Sequence, residues 1–240
     1  MNTKRELSLL RDAAINKPIH SITKFTTLDY PQHLASIFWF AKCNMVCPYC
    51  YNPQIVRDHG TISTEEALKF LQSRKGRLDS VVLSGGECTL FPHLEAFCEA
   101  IKALDYKIKI DTNGSNPELL ARLIEKELVD YIALDYKAPH YKYETLTHNP
   151  HFERFEQSLE LLIERHFPFE VRTTLHSDLL SPQDINTIIE DLHVKGYQGS
   201  YYLQNYLHVE ATLGVTKEQQ NQFDLSQLTS LIPIELRNFR

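Results

Sequence analysis

The chain has 240 residues, enough for one domain with a sizeable core, and its hydrophobic content of 42% and charged content of 23% are typical of a globular protein. It contains no run of about 18 apolar residues and no apolar stretch behind Met1, so the sequence predicts neither a membrane span nor a secretory signal, and no membrane partner. A net charge of −6 without a basic patch argues against nucleic acid as a partner.

The N-terminal part is predicted to be an extension over residues 1–24, helical until about Lys17-Pro18. A turn-rich segment, 24–31, then leads into the first apolar strand. From residue 25 to residue 240 there is no linker, low-complexity tract or charge block. This predicts a single domain over 25–240.

The rest of the chain alternates strands and helices. Strand ends recur at roughly 30-residue intervals, the length of a βαβ unit, which predicts an α/β fold with parallel strands. Six strands are too few to close an eight-stranded barrel. Functional residues are expected at the carboxyl ends of the strands. The predicted strands cover 35–41, 80–84, 106–111, 130–135, 169–175 and 200–206, and the predicted helices cover 92–104, 117–126, 152–165 and 182–194.

Three of the five cysteines lie on a short loop after the first apolar strand, as Cys43, Cys47 and Cys50 in the spacing C-x3-C-x2-C. Such crowding is not a disulfide framework, and it predicts a reducing cytoplasm. Three thiolates on one loop can hold three irons of a cubane iron–sulfur cluster and leave the fourth iron for a substrate. The alternative is a zinc-binding regulatory protein in which His59 or His33 supplies a fourth ligand.

This spacing, with the aromatic Tyr49 before the third cysteine, resembles the signature of the radical S-adenosylmethionine (SAM) enzymes. The resemblance implies a catalytic [4Fe–4S] cluster held by Cys43, Cys47 and Cys50, with SAM chelated at the unique iron and Tyr49 among the cofactor-binding residues. One electron from the cluster would cleave SAM to methionine and a 5′-deoxyadenosyl radical that abstracts hydrogen. It also implies that the strands curve into an open partial (β/α)6 barrel.

The second strand is followed by Gly85-Gly86-Glu87, where two glycines allow close approach of the backbone to a ligand. In the radical SAM family a matching segment contacts the methionine amino group, so these three residues are carried over to that role. The alternative is an ordinary strand-to-helix turn. Cys88 stands where many relatives have proline, which predicts a reactive thiol near the site but not a ligand.

The next strand ends in Asp111-Thr112-Asn113, whose polar groups can reach ribose hydroxyls or a cation. In activating enzymes of the radical SAM family the matching residues help to bind SAM, and in some also a monovalent cation. A plain turn is the alternative, because Gly114 follows Asn113.

The following two strands supply charged residues. Asp135 and Lys137 point the same way at a strand end and resemble a D-x-K-x segment of glycyl-radical-enzyme activases, which implies cofactor binding; a surface ion pair is the alternative. Arg172 is a candidate clamp for the methionine carboxylate. A structural pair of Arg172 with Glu170 or Asp135 is the alternative.

One branch of the family is matched more closely. The lead-in 27–31, the cysteine loop with 52–53, the segment 84–87 and the terminal 234–237 resemble the anaerobic ribonucleoside-triphosphate reductase activating proteins, although many relatives have His where Tyr51 stands. This implies that the radical is passed to a glycine of anaerobic ribonucleotide reductase, with a flavodoxin or ferredoxin-type electron donor. An activase of another glycyl radical enzyme, or a small-molecule radical SAM enzyme such as a deazapurine synthase, would share these motifs.

Overall fold

The structure is a computed structural model that describes residues 17–57, 59–209, 212–214 and 218–239. The predicted N-terminal helix falls on residues outside these ranges. By its internal contacts the chain divides into two compact units. The first unit comprises 17–44, 54–112 and 118–132, and the second comprises 45–53, 113–117 and 133–239, as far as these are described.

Strands and helices alternate along most of the described chain. The strands are β1 (Ile19–Thr26), β2 (Ala35–Phe40), β3 (Ser80–Gly85), β4 (Lys107–Thr112), β5 (Tyr131–Asp135), β6 (Phe169–Leu175), β7 (Tyr201–Asn205) and β8 (Ile234–Arg237). The helices are α1 (Pro53–Arg57), α2 (Thr64–Gln72), α3 (Leu94–Lys102), α4 (Pro117–Glu125), α5 (His140–Thr147), α6 (Phe152–Glu164) and α7 (Pro182–Val194).

The strands follow one another across the sheet in chain order, from β1 to β8. β1 is antiparallel to β2, whereas β2–β3, β3–β4, β6–β7 and β7–β8 are parallel pairs. Within the described residues β8 does not return to pair with β1, so the sheet is open. The predicted α/β class with parallel strands in an open sheet is confirmed.

The six predicted strands are present as β2 to β7, and two more flank them. β1 lies where the sequence predicted the end of an N-terminal extension, so the predicted boundary at residue 24 falls inside a strand. β1 pairs along β2 from Ile19↔Phe40 to Thr26↔Ala35, and the Trp39 Nε1 donates a hydrogen bond to Thr23 Oγ1 at 2.9 Å. The segment is therefore part of the sheet.

Strand register positions the site residues in each unit. In the first unit the β2–β3 register places Phe40 opposite Gly85, so the carboxyl ends of these strands lie side by side. In the second unit Leu175 at the end of β6 is opposite Asn205 at the end of β7. Parallel pairing with helical connections buries both faces of a strand, and four of the six β2 residues are buried in succession, from Ala35 to Phe38.

Candidate active site

The cysteine loop follows β2 and leads into α1. Cys43 belongs to the first unit, while Cys47 and Cys50 belong to the second. All three carry thiols outside any disulfide, with Cys47 buried and the other two partly exposed. The Cys50 amide donates a hydrogen bond to the Cys47 carbonyl at 3.1 Å, which fixes a turn between these two thiols.

The two glycines at the end of β3, Gly85 and Gly86, pack against the chain's own backbone. The Gly86 amide donates to the Phe40 carbonyl at 2.9 Å, and the Glu87 amide donates to the Lys42 carbonyl at 2.9 Å. A Cβ atom on Gly86 would overlap the Lys42 carbonyl oxygen, and one on Gly85 would overlap the Phe40 backbone. Glycine is therefore required at both positions, because the backbone of the segment just before Cys43 leaves no room for a Cβ atom.

Glu87 is buried and forms a hydrogen bond with another predicted site residue, Thr112. Its Oε1 accepts hydrogen bonds from the Thr89 amide at 3.1 Å, from Thr89 Oγ1 at 2.6 Å and from Thr112 Oγ1 at 2.9 Å. Glu87 also caps the short 3₁₀ turn Cys88–Leu90. The structure thus brings Glu87 and Thr112 together in the first unit.

Asp111 has a partner that the sequence analysis missed. Lys109 is 2% exposed, and its Nζ lies 3.0 Å from Asp111 Oδ1 and donates to the Asp29 carbonyl at 2.6 Å. Ser84 Oγ donates to the other oxygen of Asp111 at 3.0 Å. A buried ammonium requires such partners. The available signal was the alternation on β4, which places Lys109 and Asp111 on one face.

Asn113 belongs to the second unit, where it begins a tight turn. Its Oδ1 accepts from the Ser115 amide at 3.0 Å, and the Gly114 carbonyl accepts from Ser158 Oγ at 2.6 Å. Gly114 has a φ of +74°, in the left-handed region. The turn that the sequence offered as an alternative is present, with Asn113 side chain closing it.

Asp135, Lys137 and Arg172 form one ionic network. Lys137 Nζ lies 2.9 Å from Asp135 Oδ2, and Arg172 Nε lies 2.5 Å from Asp135 Oδ1. Arg172 also lies 3.9 Å from Glu170, which Arg237 approaches to 3.1 Å. Burial would raise the pKa of Asp135, but the charges and hydrogen bonds of Arg172 and Lys137 outweigh it and lower the pKa to about 2.

The positive charge of Lys137 also affects the pKa of a cysteine on the loop, Cys47. Burial raises the pKa of Cys47 to about 11, and the positive charge of Lys137 opposes that rise. Burial also raises the pKa of Tyr49 well above its usual value, so the hydroxyl stays protonated. The Tyr49 hydroxyl is buried and has no hydrogen-bond partner among the described residues. It is a donor available to a bound group.

Cys88 is not the reactive thiol that the sequence suggested. It is fully buried, and its Sγ lies 3.5 Å from the Leu83 carbonyl and 3.7 Å from the Asp111 carbonyl. Burial, reinforced by nearby Glu87, raises its pKa well above the usual value, and the nucleophilic form is the thiolate. Cys98 is buried in α3.

We expect iodoacetamide to label Cys43 and Cys50 in the native apoprotein and to spare Cys88. Peptide mass spectrometry after a short exposure at mildly alkaline pH measures this, with guanidinium-unfolded protein as the control in which every cysteine reacts. Labelling of Cys88 at the rate of Cys50 would contradict the assignment of Cys88 to the core.

Parallel strands in an open α/β sheet, with three cysteines outside any disulfide on the loop after β2, match a class of enzymes that hold an iron–sulfur cluster on such a loop. The model of the Radical SAM superfamily matches residues 37–194, and the chain belongs to that superfamily. All the predicted site residues, from Cys43 to Arg172, lie within the matched segment.

The names of the similar proteins within the superfamily refer to different activities. Over 132 residues the chain is 36% identical to a Methanocaldococcus jannaschii protein provisionally named a glycyl-radical enzyme activating enzyme, covering 52% of each chain. It is 31% identical over 97 residues to the 7-carboxy-7-deazaguanine synthase of Neisseria meningitidis, covering 40% of this chain and 41% of that protein. The chain thus spans about half the length of the curated relatives it matches.

A solved structure supports the fold. Streptococcus suis SuiB bound to the precursor peptide SuiA superposes with a TM-score of 0.65 at 16% identity, covering 98% of this chain and 53% of that chain. At this identity the likeness shows the fold alone. Within the described residues, no helix is both long enough and apolar enough to cross a bilayer.

The superfamily implies a [4Fe–4S] cluster and SAM, and the residues present fit both groups. The donor set is three reduced thiols, Lys137 provides a positive charge that favours the thiolate of Cys47, and the Tyr49 hydroxyl is a buried donor. His33, one candidate for a zinc ligand, lies 3.3 Å from Asp79 instead. Across the described ranges, no three His, Cys, Asp or Glu side chains are grouped so as to hold a single metal ion.

Proposed function

We propose that this protein is a glycyl-radical-enzyme activase that acts on anaerobic ribonucleotide reductase. Cys43, Cys47 and Cys50 would hold the [4Fe–4S] cluster. When bound and reduced by a flavodoxin or ferredoxin-type donor, the cluster supplies the electron that cleaves SAM to methionine and a 5′-deoxyadenosyl radical, which takes a hydrogen atom from the Cα of a glycine in the partner.

The chain's own residues would bind and orient the cofactor. Asp135 and Lys137, with Arg172, would receive the charged methionine part of SAM, and Tyr49 would donate a hydrogen bond to the bound group. The remaining proposed contacts are Gly85, Gly86, Glu87, Asp111, Thr112 and Asn113, and we propose a monovalent cation beside the last three.

The observation that carries this proposal is the 36% identity to the provisionally named activating enzyme, in a chain whose three motif cysteines carry thiols outside any disulfide. The lead-in residues that resemble the reductase activases support the choice of partner. Tyr30 packs in a buried cluster with Ala35, Ile37 and Val82, and the Asp29 carbonyl accepts a hydrogen bond from Lys109. The lead-in is thus anchored to the strand that carries Asp111.

The test is electron paramagnetic resonance of anaerobically reconstituted protein, reduced with SAM and anaerobic ribonucleotide reductase present. We expect a glycyl radical that disappears in Cys43→Ala, Cys47→Ala and Cys50→Ala but persists in Cys98→Ala, a matched replacement in α3. A wild-type protein with an intact cluster and no glycyl radical would overturn the choice of partner. An undiminished radical in any of the three motif variants would overturn the proposed ligand set.

A second candidate function is suggested by the 31% identity to a 7-carboxy-7-deazaguanine synthase. A small-molecule enzyme would form 5′-deoxyadenosine with its substrate and without any protein partner. Quantifying 5′-deoxyadenosine with the deazapurine precursor alone and with the reductase alone separates the two functions.

A further inference from the structure

The segment after β7 contacts the cysteine loop within the second unit. We call its described residues, 206–209 and 212–214, the clamp segment. Tyr51 directly follows Cys50, and its ring stacks on Tyr206 with centroids 5.4 Å apart and an interplanar angle of 6°. The Tyr51 hydroxyl accepts a hydrogen bond from the Leu207 amide at 2.7 Å. One side chain thus makes both a ring contact and a polar contact.

A second contact joins the same two stretches. The Gly214 amide donates to the Pro48 carbonyl at 3.1 Å. A Cβ atom on Gly214 would lie 2.6 Å from Pro48 Cβ and 2.8 Å from Pro48 Cα, closer than real contacts allow. Pro48 follows Cys47 and Tyr51 follows Cys50, so the clamp segment contacts the residue after each of these cysteines.

The clamp segment is itself held by the ends of β6 and β7. The Tyr206 amide donates to the Leu175 carbonyl at 2.7 Å, and the Tyr206 ring packs on buried His176 with centroids 4.7 Å apart. Gln219 donates to the Tyr206 carbonyl at 3.2 Å and accepts from the Ser177 amide at 2.8 Å. The clamp segment therefore connects the cysteine loop to two core strands.

We propose that Tyr51 is a positioning residue that holds Cys47 and Cys50 in the geometry a cluster requires before the cluster arrives. The proposal rests on the assignment of these two cysteines as ligands. Ligands fixed in advance lose less conformational freedom on binding and release the bound group more slowly. Tyr51 lies outside the cysteine motif, and its action depends on Leu207 and Tyr206, which stand more than 150 residues later in the sequence.

The test compares Tyr51→Phe, which keeps the ring and removes the hydroxyl, with Tyr106→Phe, which removes a hydroxyl bonded to the Leu71 carbonyl at 2.9 Å in the other unit. Reconstituted holoprotein is mixed with an iron chelator under anaerobic conditions, and loss of the cluster absorbance is followed. We expect iron release about fivefold faster in Tyr51→Phe than in wild type, the effect of one lost hydrogen bond, and an unchanged rate in Tyr106→Phe.

A second variant perturbs the other contact of the clamp segment with the cysteine loop, that of Gly214 with Pro48. Gly214→Ala introduces the overlap with Pro48. Gly196→Ala, at a glycine with a φ of +81° and open space around it, adds backbone strain without an overlap and is the control. Hydrogen exchange of apoprotein peptides covering 45–51 provides a readout that does not need a cluster. We expect faster exchange there in Tyr51→Phe and Gly214→Ala than in either control.

The outcomes separate this inference from the proposed function. A wild-type protein that assembles no cluster overturns the ligand assignment, while the exchange of 45–51 still decides whether Tyr51 orders the loop. The positioning role is overturned if the wild type assembles a cluster but Tyr51→Phe and Tyr106→Phe release iron at equal rates and exchange the amides of 45–51 equally fast.

Discussion

Replacing Asp135 with Asn is expected to lower the free energy of unfolding by about 3 kcal/mol, the cost of leaving buried charges without their partner. Asp135 neutralises both Lys137 and Arg172 at 2.9 and 2.5 Å, and all three side chains are less than a quarter exposed. The amide of Asn cannot compensate two cations. Glu170, another carboxylate near Arg172, lies 3.9 Å from it and is also approached by Arg237.

Urea unfolding of the apoprotein measures this effect without any cofactor. The matched control is Glu65→Gln, the same carboxylate-to-amide change in the exposed pair of Glu65 with Lys69 at 2.7 Å, where we expect less than about 1 kcal/mol. In the double variant Asp135→Asn/Arg172→Met the loss should be smaller than the sum of the two single losses, because the charges are coupled. Equal losses for Asp135→Asn and Glu65→Gln would contradict the network.

The difference in the free energy of unfolding between wild type and Asp135→Asn should decrease as the pH falls. The pKa of Asp135 is lowered from an ordinary 3.8 to about 2 by Arg172 and Lys137, against the effect of burial. The carboxylate therefore contributes its full stability above about pH 4, and that contribution is lost as the pH falls toward 2. We expect the two unfolding free energies to converge over this interval.

The regular elements were largely predictable because local pattern and packing agree. The predicted helix over 182–194 is α7, where Ser181 caps the helix with Asp184 and Pro182 occupies the first turn. The helix α2 was missed although Ser63 and Glu66 form a capping box that is visible in the sequence. β1 was missed because its residues are mostly half-buried, so its sequence lacks a clear apolar alternation.

The candidate site residues were predicted from motifs, but their contacts depend on the tertiary structure. The sequence offered Gly86 as a ligand contact but gave no sign that the Lys42 carbonyl lies against it. It offered Cys88 as a reactive thiol, whereas the thiol is buried. The motifs did not single out Lys109, which is buried and contacts the Asp29 carbonyl and the Asp111 carboxylate. Burial is a property of the assembled fold, so no local pattern reports it.

Replacing Gly86 with Ala is expected to prevent stable cluster binding and to lower the free energy of unfolding by about 3 kcal/mol, at the upper end of overpacking costs. The added Cβ would overlap the Lys42 carbonyl oxygen and lie 3.2 Å from Cys43 Cβ. A backbone oxygen cannot rotate away as a flexible side chain can, and the same oxygen accepts the hydrogen bond from the Glu87 amide. The backbone before Cys43 must therefore move, and with it the first thiol of the motif.

The matched control for Gly86→Ala is Gly76→Ala, at a glycine of the same unit with a φ of +74° and no atom near the added Cβ. That change costs only backbone strain, about 1–2 kcal/mol, and leaves the cysteine loop in place. Iron content after anaerobic reconstitution should fall well below wild type in Gly86→Ala and stay at the wild-type level in Gly76→Ala. If Gly86→Ala retained full iron content, the glycine would not be needed to place Cys43, and its role would have to lie in ligand contact alone.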